Sequence, residues 1–115
     1  MDDFPEFMKN PKNQIRRSSQ YTKDIEGYVF DGADGSQMAF WTCYQSRKSS
    51  EHVHDYDEYV VVVHGEYRVG MNGKAYTLKP GEELYIPSGT PHDGEAIAGT
   101  RTIHAFGGKR AEREG

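Results

Sequence analysis

The chain has 115 residues, which suits one ordinary domain and leaves little room for a second. Its formal charge is -4 and its pI is near 5.7. Because the basic residues are scattered rather than gathered in a stripe, nucleic acid is not expected as a partner. The single cysteine, Cys43, excludes an internal disulfide and a cysteine-based zinc site. It suits a reducing compartment, so a cytoplasmic location is expected.

Residues 1–24 are polar and show neither helical nor strand periodicity, so they are interpreted as an N-terminal arm. The arm has no apolar run long enough for a signal-peptide core or a membrane span, and no membrane partner is expected. Its apolar residues Phe4, Phe7 and Ile15 can pack on the domain or on a neighbouring subunit, or the arm can fray. The sequence leaves these alternatives open.

From Ile25 onward, short β-rich runs are separated by turn residues. The runs are IEGYVF, QMAFWTCYQ, EYVVVV, YRVGM, KAYTL, ELYIP, a run near His92, and TRTIHAF. A polar loop, SRKSS, follows the second run, and Asn72-Gly73 is a hairpin-turn signal. This spacing predicts an all-β barrel or sandwich over residues 25–108, followed by a charged C-terminal tail over residues 109–115.

The run from Glu58 to Val63 is apolar on both of its faces. Strand alternation places Glu58 with Val60 and Val62 on one face, and the odd-numbered residues of the run on the other. A half-solvated antiparallel strand alternates apolar with polar residues, so the outer face is expected to be covered by a second sheet, the arm or another subunit. This pattern favours a homodimer.

Two histidines in the sequence His52-Val53-His54 are spaced to bind one ion. On an extended segment, residues two apart point to the same side. Glu58 follows after a short turn that can bring its carboxylate beside the two rings, whereas His92 joins them only if a barrel closes. Imidazole nitrogens with a carboxylate favour a divalent transition metal, namely iron, manganese, nickel, zinc or copper, over calcium.

The stretch from Ser46 to Ala96 resembles the two sequence motifs of the cupin superfamily. The first motif reads Gly, five residues, His-x-His, three or four residues, Glu, six residues, Gly; here it is SRKSSEHVHDYDEYVVVVHG. The second reads Gly, five residues, Pro-x-Gly, two residues, His, three residues, Asn; here it is GEELYIPSGTPHDGEA. Ser46 replaces the first Gly, and Ala96 replaces the final Asn, which puts the turn geometry near these positions in doubt.

The resemblance implies a double-stranded β-helix, the jelly-roll barrel of the cupins, in a single domain. It also implies one divalent metal ion held by His52, His54, Glu58 and His92. Three His and one Glu can occupy four octahedral positions and leave two for other ligands, an arrangement that favours catalysis.

Two functions are consistent with such a barrel. One is a metalloenzyme acting on a small organic molecule, of the dioxygenase or the isomerase or lyase type, with Glu58 as a ligand or general base and His104 as a further acid/base candidate. The other is a non-catalytic module that binds a small metabolite or sugar. The reaction and the substrate are not specified by the sequence.

Overall fold

The computed structural model describes residues 1–20 and 24–114. Nine strands in this part of the chain form two antiparallel sheets. The strands are β1 Ile25–Asp31, β2 Gln37–Cys43, β3 Arg47–Lys48, β4 Glu58–His64, β5 Tyr67–Met71, β6 Lys74–Leu78, β7 Glu83–Ile86, β8 His92–Ala96 and β9 Thr100–Phe106. Three short 3-10 helices, Glu6–Met8, Pro11–Asn13 and Arg17–Ser19, precede them. The predicted jelly-roll barrel is confirmed.

The two sheets face each other across one interior. The first has the order β1-β2-β9-β4-β7, and the second has the order β3-β8-β5-β6. Strands β4 and β9 are neighbours although β9 is the last strand in the chain, and their pairing brings Val60 opposite His104. This long-range pairing carries residues from the end of the chain to the predicted metal site.

Turn chemistry sets the ends of the strands. Asn72 and Gly73 both have positive φ, 54° and 73°, as a two-residue hairpin between β5 and β6 requires. Two elements differ from the prediction. The loop 46–50 contains the short strand β3, and His52 lies in an extended segment joined to His92 by an isolated bridge rather than in a strand.

Strand β4 alternates as predicted. Glu58, Val60 and Val62 are buried, whereas Tyr59 and Val63 are exposed. Val60 and Val62 pack with Leu78 in an apolar cluster, and a neighbouring cluster contains Val69, Met71 and Ile86. The inner face of β4 therefore changes from a carboxylate at one end to a close-packed apolar core.

The N-terminal arm packs on the barrel. Phe4 and Ile15 are buried, Phe4 against Tyr28 and Phe40 of the first sheet, whereas Phe7 is exposed. The residues after β9 run beside the arm, because Ile15 forms a bridge with Arg113. In the described part of the chain, no helix is long and apolar enough to cross a membrane.

Candidate metal centre

Three imidazoles meet at one end of the barrel interior. One ligand atom from each of His52, His54 and His92 lies within 4.8 Å of the other two. His52 and His92 face each other across two backbone hydrogen bonds of 2.9 Å, each donated by one residue's amide to the other's carbonyl. The structure thus brings His92 to the two histidines of the first motif, and one ion could be bound by all three.

Two loops hold the histidines in place. Val53 is exposed and His54 is buried, as expected for neighbours in an extended segment. The Gly89 amide donates to the His54 carbonyl at 2.8 Å, and the Ser88 amide donates to Asp57 Oδ1 at 2.9 Å. Gly89 has a φ of 79°, so it supplies the left-handed conformation that this turn needs.

Glu58 brings a carboxylate to the same place. Its Oε1 lies 3.6 Å from His54 Nε2 and 3.4 Å from His92 Nε2, and its side chain is buried. Among the described residues, Glu58 Oε1 and His92 Nε2 are buried without a hydrogen-bond partner. A buried charged oxygen without a partner is costly, and a cation between the two atoms would satisfy both. The residues present therefore fit a divalent metal.

Backbone carbonyls orient two of the rings for ligation. His52 Nδ1 lies 2.9 Å from the Ser50 carbonyl, and His92 Nδ1 lies 2.8 Å from the Thr90 carbonyl. A carbonyl only accepts, so Nδ1 carries the proton in both rings and Nε2 keeps the lone pair that a metal needs. This is the usual support for histidine ligands in metal sites.

The third ring is held by an aromatic side chain. His54 Nδ1 lies 3.1 Å from the Tyr56 hydroxyl, and the two rings stack with centroids 4.7 Å apart. Tyr56 in turn packs edge-on against Phe106 of β9. The orientation of His54 is thus linked to the strand that also carries His104.

The protonation states suit a cation. Burial lowers the pKa of His54 to about 4 and also lowers the pKa of His52, so both rings are neutral at neutral pH. Burial alone would raise the pKa of Glu58, but the hydrogen bond from His104 and the nearby His92 ring hold it well below its usual range. Burial would likewise lower the pKa of His92, but the Glu58 carboxylate raises it. The centre therefore contains an ionised carboxylate beside the neutral rings of His52 and His54.

His104 lies behind Glu58, on the side away from the other histidines. Its Nδ1 lies 3.0 Å from Glu58 Oε2, and its Nε2 lies 2.9 Å from Thr102 Oγ1. The ring is buried and meets Trp41 edge-on, with centroids 4.8 Å apart. The structure places His104 inside the barrel, where the sequence alone could not assign its face, and there it holds one oxygen of Glu58.

A cavity of about 90 Å³ opens beside these residues, with His52, His54 and Glu58 in its wall. The sequence-based interpretation missed two arginines that also line it. Arg47 comes from β3 and Arg110 from the segment after β9. Arg47 occupies an unspecified position of the first motif, and Arg110 lies outside both motifs. Their approach to the cavity depends on long-range contacts, the pairing of Arg47 with Ala96 and the hydrogen bond of Arg110 to Gln37.

The two departures from the cupin motifs are accommodated locally. Ser46 Oγ accepts a hydrogen bond of 3.1 Å from the Ala98 amide, which ties the start of β3 to the turn after β8. Ala96 pairs with Arg47 on one side and with Tyr67 on the other.

The sequence also matches a described protein family. The cupin domain family matches residues 40–106, which is more than half of the chain. The chain belongs to the cupin family. The matched region runs from within β2 to the end of β9 and includes the four predicted metal ligands and His104.

Solved structures share the cupin fold with this chain. KdgF from a Halomonas species is 19% identical with a TM-score of 0.68, over 84% of this chain and 93% of that one. An RmlC-like cupin from Shewanella frigidimarina is 16% identical with a TM-score of 0.69, over 85% and 96%. A mutant of salicylate 1,2-dioxygenase from Pseudoaminobacter salicylatoxidans is 16% identical with a TM-score of 0.66, over 72% and 26%.

A curated relative is similar over a shorter stretch. An HTH-type transcriptional activator, RhaS, from Mannheimia succiniciproducens is 47% identical over 47 residues. The match covers 41% of this chain and 18% of the activator. This cupin therefore matches less than a fifth of that relative.

Proposed function

We propose that this cupin binds one divalent transition metal ion through His52, His54, Glu58 and His92, and that it is a metalloenzyme acting on a small organic molecule. The observation that carries the proposal is the buried Oε1 of Glu58, which lies 3.6 Å and 3.4 Å from two imidazole nitrogens. An ionised oxygen and imidazole nitrogens converging at one buried point are the donor set of a transition-metal site.

Each residue of the centre has a distinct role in the proposed reaction. The bound ion would supply Lewis acidity or redox chemistry toward a coordinated substrate. Glu58 offers Oε1 as a ligand or, when released from the ion, as a general base. His104 keeps the carboxylate oriented through Oε2 and is the nearest group that can exchange a proton with it. Both dioxygenase and isomerase or lyase chemistry use such an arrangement.

Elemental analysis of metal per chain tests the proposal, on protein purified without a metal-binding tag. Near-stoichiometric metal is expected in the wild type and loss of metal is expected in His52→Ala, whereas His64→Ala should retain it. His64 is the matched control because it is an exposed histidine at the far end of β4, hydrogen-bonded to the Gly99 carbonyl. Absence of metal from the wild type after reconstitution would contradict the proposed centre.

A second candidate function is binding of a small metabolite or sugar without chemical change. The likeness over 47 residues to a transcriptional activator supports this alternative, because that relative is named as a regulator. Measurements of ligand binding before and after removal of the metal distinguish the two candidate functions. An enzyme needs the ion for its reaction, whereas a binding module keeps its ligand affinity after the ion is removed.

We also propose that the cupin forms a homodimer through the outer face of its first sheet. A row of paired residues crosses five strands on this face, comprising Phe30, Met38, Ala105, Tyr59 and Tyr85. Four of these side chains are exposed by 36–56%. A continuous apolar row on a sheet surface is typical of a protein interface, and a second copy can cover it symmetrically.

Sedimentation velocity tests the dimer. Met38→Lys places a charge in the middle of the row and is expected to shift the protein from dimer to monomer. Ile97→Lys is the matched control, since Ile97 is 48% exposed, similar to Met38 at 51%, but lies in the turn after β8. A wild type that sediments as a monomer at micromolar concentration would overturn this proposal.

A cytoplasmic location is the remaining proposal. Cys43 is buried, and burial raises the pKa of its thiol, so the cysteine is a packing residue rather than a reactive one. A buried single thiol is consistent with a reducing compartment. Cell fractionation with an antibody against the native protein is the direct measurement.

A further inference from the structure

We propose that the ligand of the cavity is a small organic anion, a carboxylate whose charged end lies against Arg110. The inference rests on the proposed function, because it names the class of molecule that the centre would take. It arises from the distribution of charge in the cavity wall, from the way Arg110 is held there, and from the size of the cavity.

The cavity wall has an excess of positive charge. Arg47 and Arg110 line it, and Glu58 is the one carboxylate among its described lining residues. Both oxygens of Glu58 face histidines, Oε2 at 3.0 Å from His104 and Oε1 at 3.4 Å from His92. The Glu58 carboxylate therefore interacts with the histidines of the centre. A divalent ion bound there would increase the positive charge of the wall further. An anion is the ligand that this wall favours.

Arg110 is held at the cavity by a buried polar clamp. Gln37, which is 3% exposed, accepts hydrogen bonds at Oε1 from the amides of Arg110, at 2.7 Å, and Ala111, at 3.0 Å. Its Nε2 donates to the Ala111 carbonyl at 3.0 Å. Both the oxygen and the nitrogen of the Gln37 amide thus fix the backbone of residues 110 and 111. Because Gln37 is buried and binds this backbone through three hydrogen bonds, the fold fixes the backbone position of Arg110.

The side chain of Arg110 is oriented by Trp41 and Ser19. Its guanidinium carbon lies 5.5 Å from the centre of the Trp41 ring, and Nη1 donates to the Ser19 carbonyl. Trp41 is itself fixed, because its Nε1 donates to Gln20 Oε1 at 2.9 Å. A guanidinium is a planar fork of donors, and this shape matches the two oxygens of a carboxylate.

Arg47 adds a second positive charge to the cavity wall but is partly neutralised. Its Nη2 pairs with the Asp24 carboxylate and lies 3.2 Å from Gln45 Oε1. Asp24 is outside the lining of the cavity. Because Asp24 offsets part of its charge, Arg47 is expected to contribute less than a full positive charge to anion binding, which the experiment below measures.

The size of the cavity selects the probe. Its volume of about 90 Å³ has room for roughly six to nine water molecules, at about 10–15 Å³ each. Pyruvate, with six non-hydrogen atoms, is of this size and can chelate a metal through adjacent oxygens. Pyruvamide has the same shape without the charge. The pair isolates the contribution of the carboxylate's charge from that of its shape.

Isothermal titration calorimetry with pyruvate and pyruvamide, on metal-loaded and metal-free protein of measured metal content, tests the inference. Pyruvate is expected to bind the wild type more tightly than pyruvamide does. Arg110→Gln should lower the ratio of the two affinities about tenfold, the scale of one charge-assisted hydrogen bond. Arg47→Gln should lower it less, and Arg110→Lys should restore much of the preference. Arg68→Gln, at an exposed position of β5, should leave the ratio unchanged.

The ratio is insensitive to the folded fraction, because both probes are measured on the same sample. An unchanged ratio in Arg110→Gln, equal affinity of the two probes for the wild type, or no pyruvate binding at about 10 mM would overturn the anion inference. The metal centre would stand if those samples still contain metal. Loss of metal from the wild type would instead overturn the centre, and an Arg110-dependent preference in the metal-free protein would then support the anion site alone.

Discussion

The two ends of the barrel interior are built from different chemistry on the same strand. At one end of β4, Val60 and Val62 are almost completely buried and pack with Leu78. At the other end, Glu58 is equally buried but is surrounded by imidazoles. Glu58, Val60 and Val62 all face inward by the same alternation, so only the residue type distinguishes the two ends.

The comparison separates stability from binding. The apolar end removes hydrocarbon from water and stabilises the fold directly. The polar end buries a carboxylate, which is destabilising unless partners compensate for the lost hydration. Buried polar groups kept at such a cost are typical of functional sites. Substitutions at the two ends should therefore have separable effects.

The largest expected effect is on metal binding, in His92→Ala. Removing one of the predicted ligands should weaken metal affinity by more than ~100-fold, since even outer partners of a ligand contribute 10–100-fold. The metal-free variant should unfold within about 1 kcal/mol of the metal-free wild type, because Glu58 keeps its contact with His104. Metal titration and chemical denaturation measure the two quantities. Retention of wild-type metal affinity would remove His92 from the centre.

The opposite pattern is expected at the apolar end, in Val60→Ala. Val60 is 0% exposed, and truncating such a side chain should lower the free energy of unfolding by about 2 kcal/mol. Metal affinity of the folded variant should stay within about threefold of the wild type, since Val60 contacts the apolar cluster rather than the ligands. A large loss of affinity would show that the two ends are coupled.

An intermediate effect is expected for His104, which supports Glu58 from behind. His104→Leu removes the donor to Glu58 Oε2 and should weaken metal affinity about 10–100-fold, the usual contribution of a residue that orients a ligand. His104→Asn keeps a donor near the Nδ1 position and should recover most of that loss. Equal affinities in both variants would show that His104 fills space and does not position the carboxylate.

Parts of the molecule that depend on local interactions could be predicted from the sequence, whereas parts that depend on long-range contacts could not. Strands β5 and β6 were predicted to the residue, because local alternation and the Asn72-Gly73 turn define them. The metal centre was predicted from a spacing of two residues and a family resemblance. The sequence places Arg110 in a charged C-terminal tail, and its approach to the cavity depends on Gln37, far away in the chain. Contacts of that range have no local signature.

The smallest expected effect concerns Asp31, which is hydrogen-bonded to Gln37 of the clamp that holds Arg110. The hydrogen bond from Gln37 and the ion pair with Arg113 lower the pKa of Asp31 below its usual 3.8. The folded state therefore binds fewer protons than the unfolded state, and this stabilisation is present above about pH 4 and is lost as the pH falls below it. Asp31→Asn should lower the unfolding temperature slightly at about pH 7, and the difference should shrink at about pH 3.

Thermal unfolding at the two pH values measures that effect, with Asp2→Asn, at an exposed position of the arm, as the control. Asp31 Oδ1 accepts from Gln37 at 2.9 Å and Oδ2 pairs with Arg113 at 2.7 Å, so its charge links the clamp to the segment that carries Arg110. A difference that is as large at low pH as at neutral pH would show that the side-chain shape, rather than the charge, stabilises the clamp. Side-chain packing would then stabilise this clamp, as it stabilises the apolar end of the barrel.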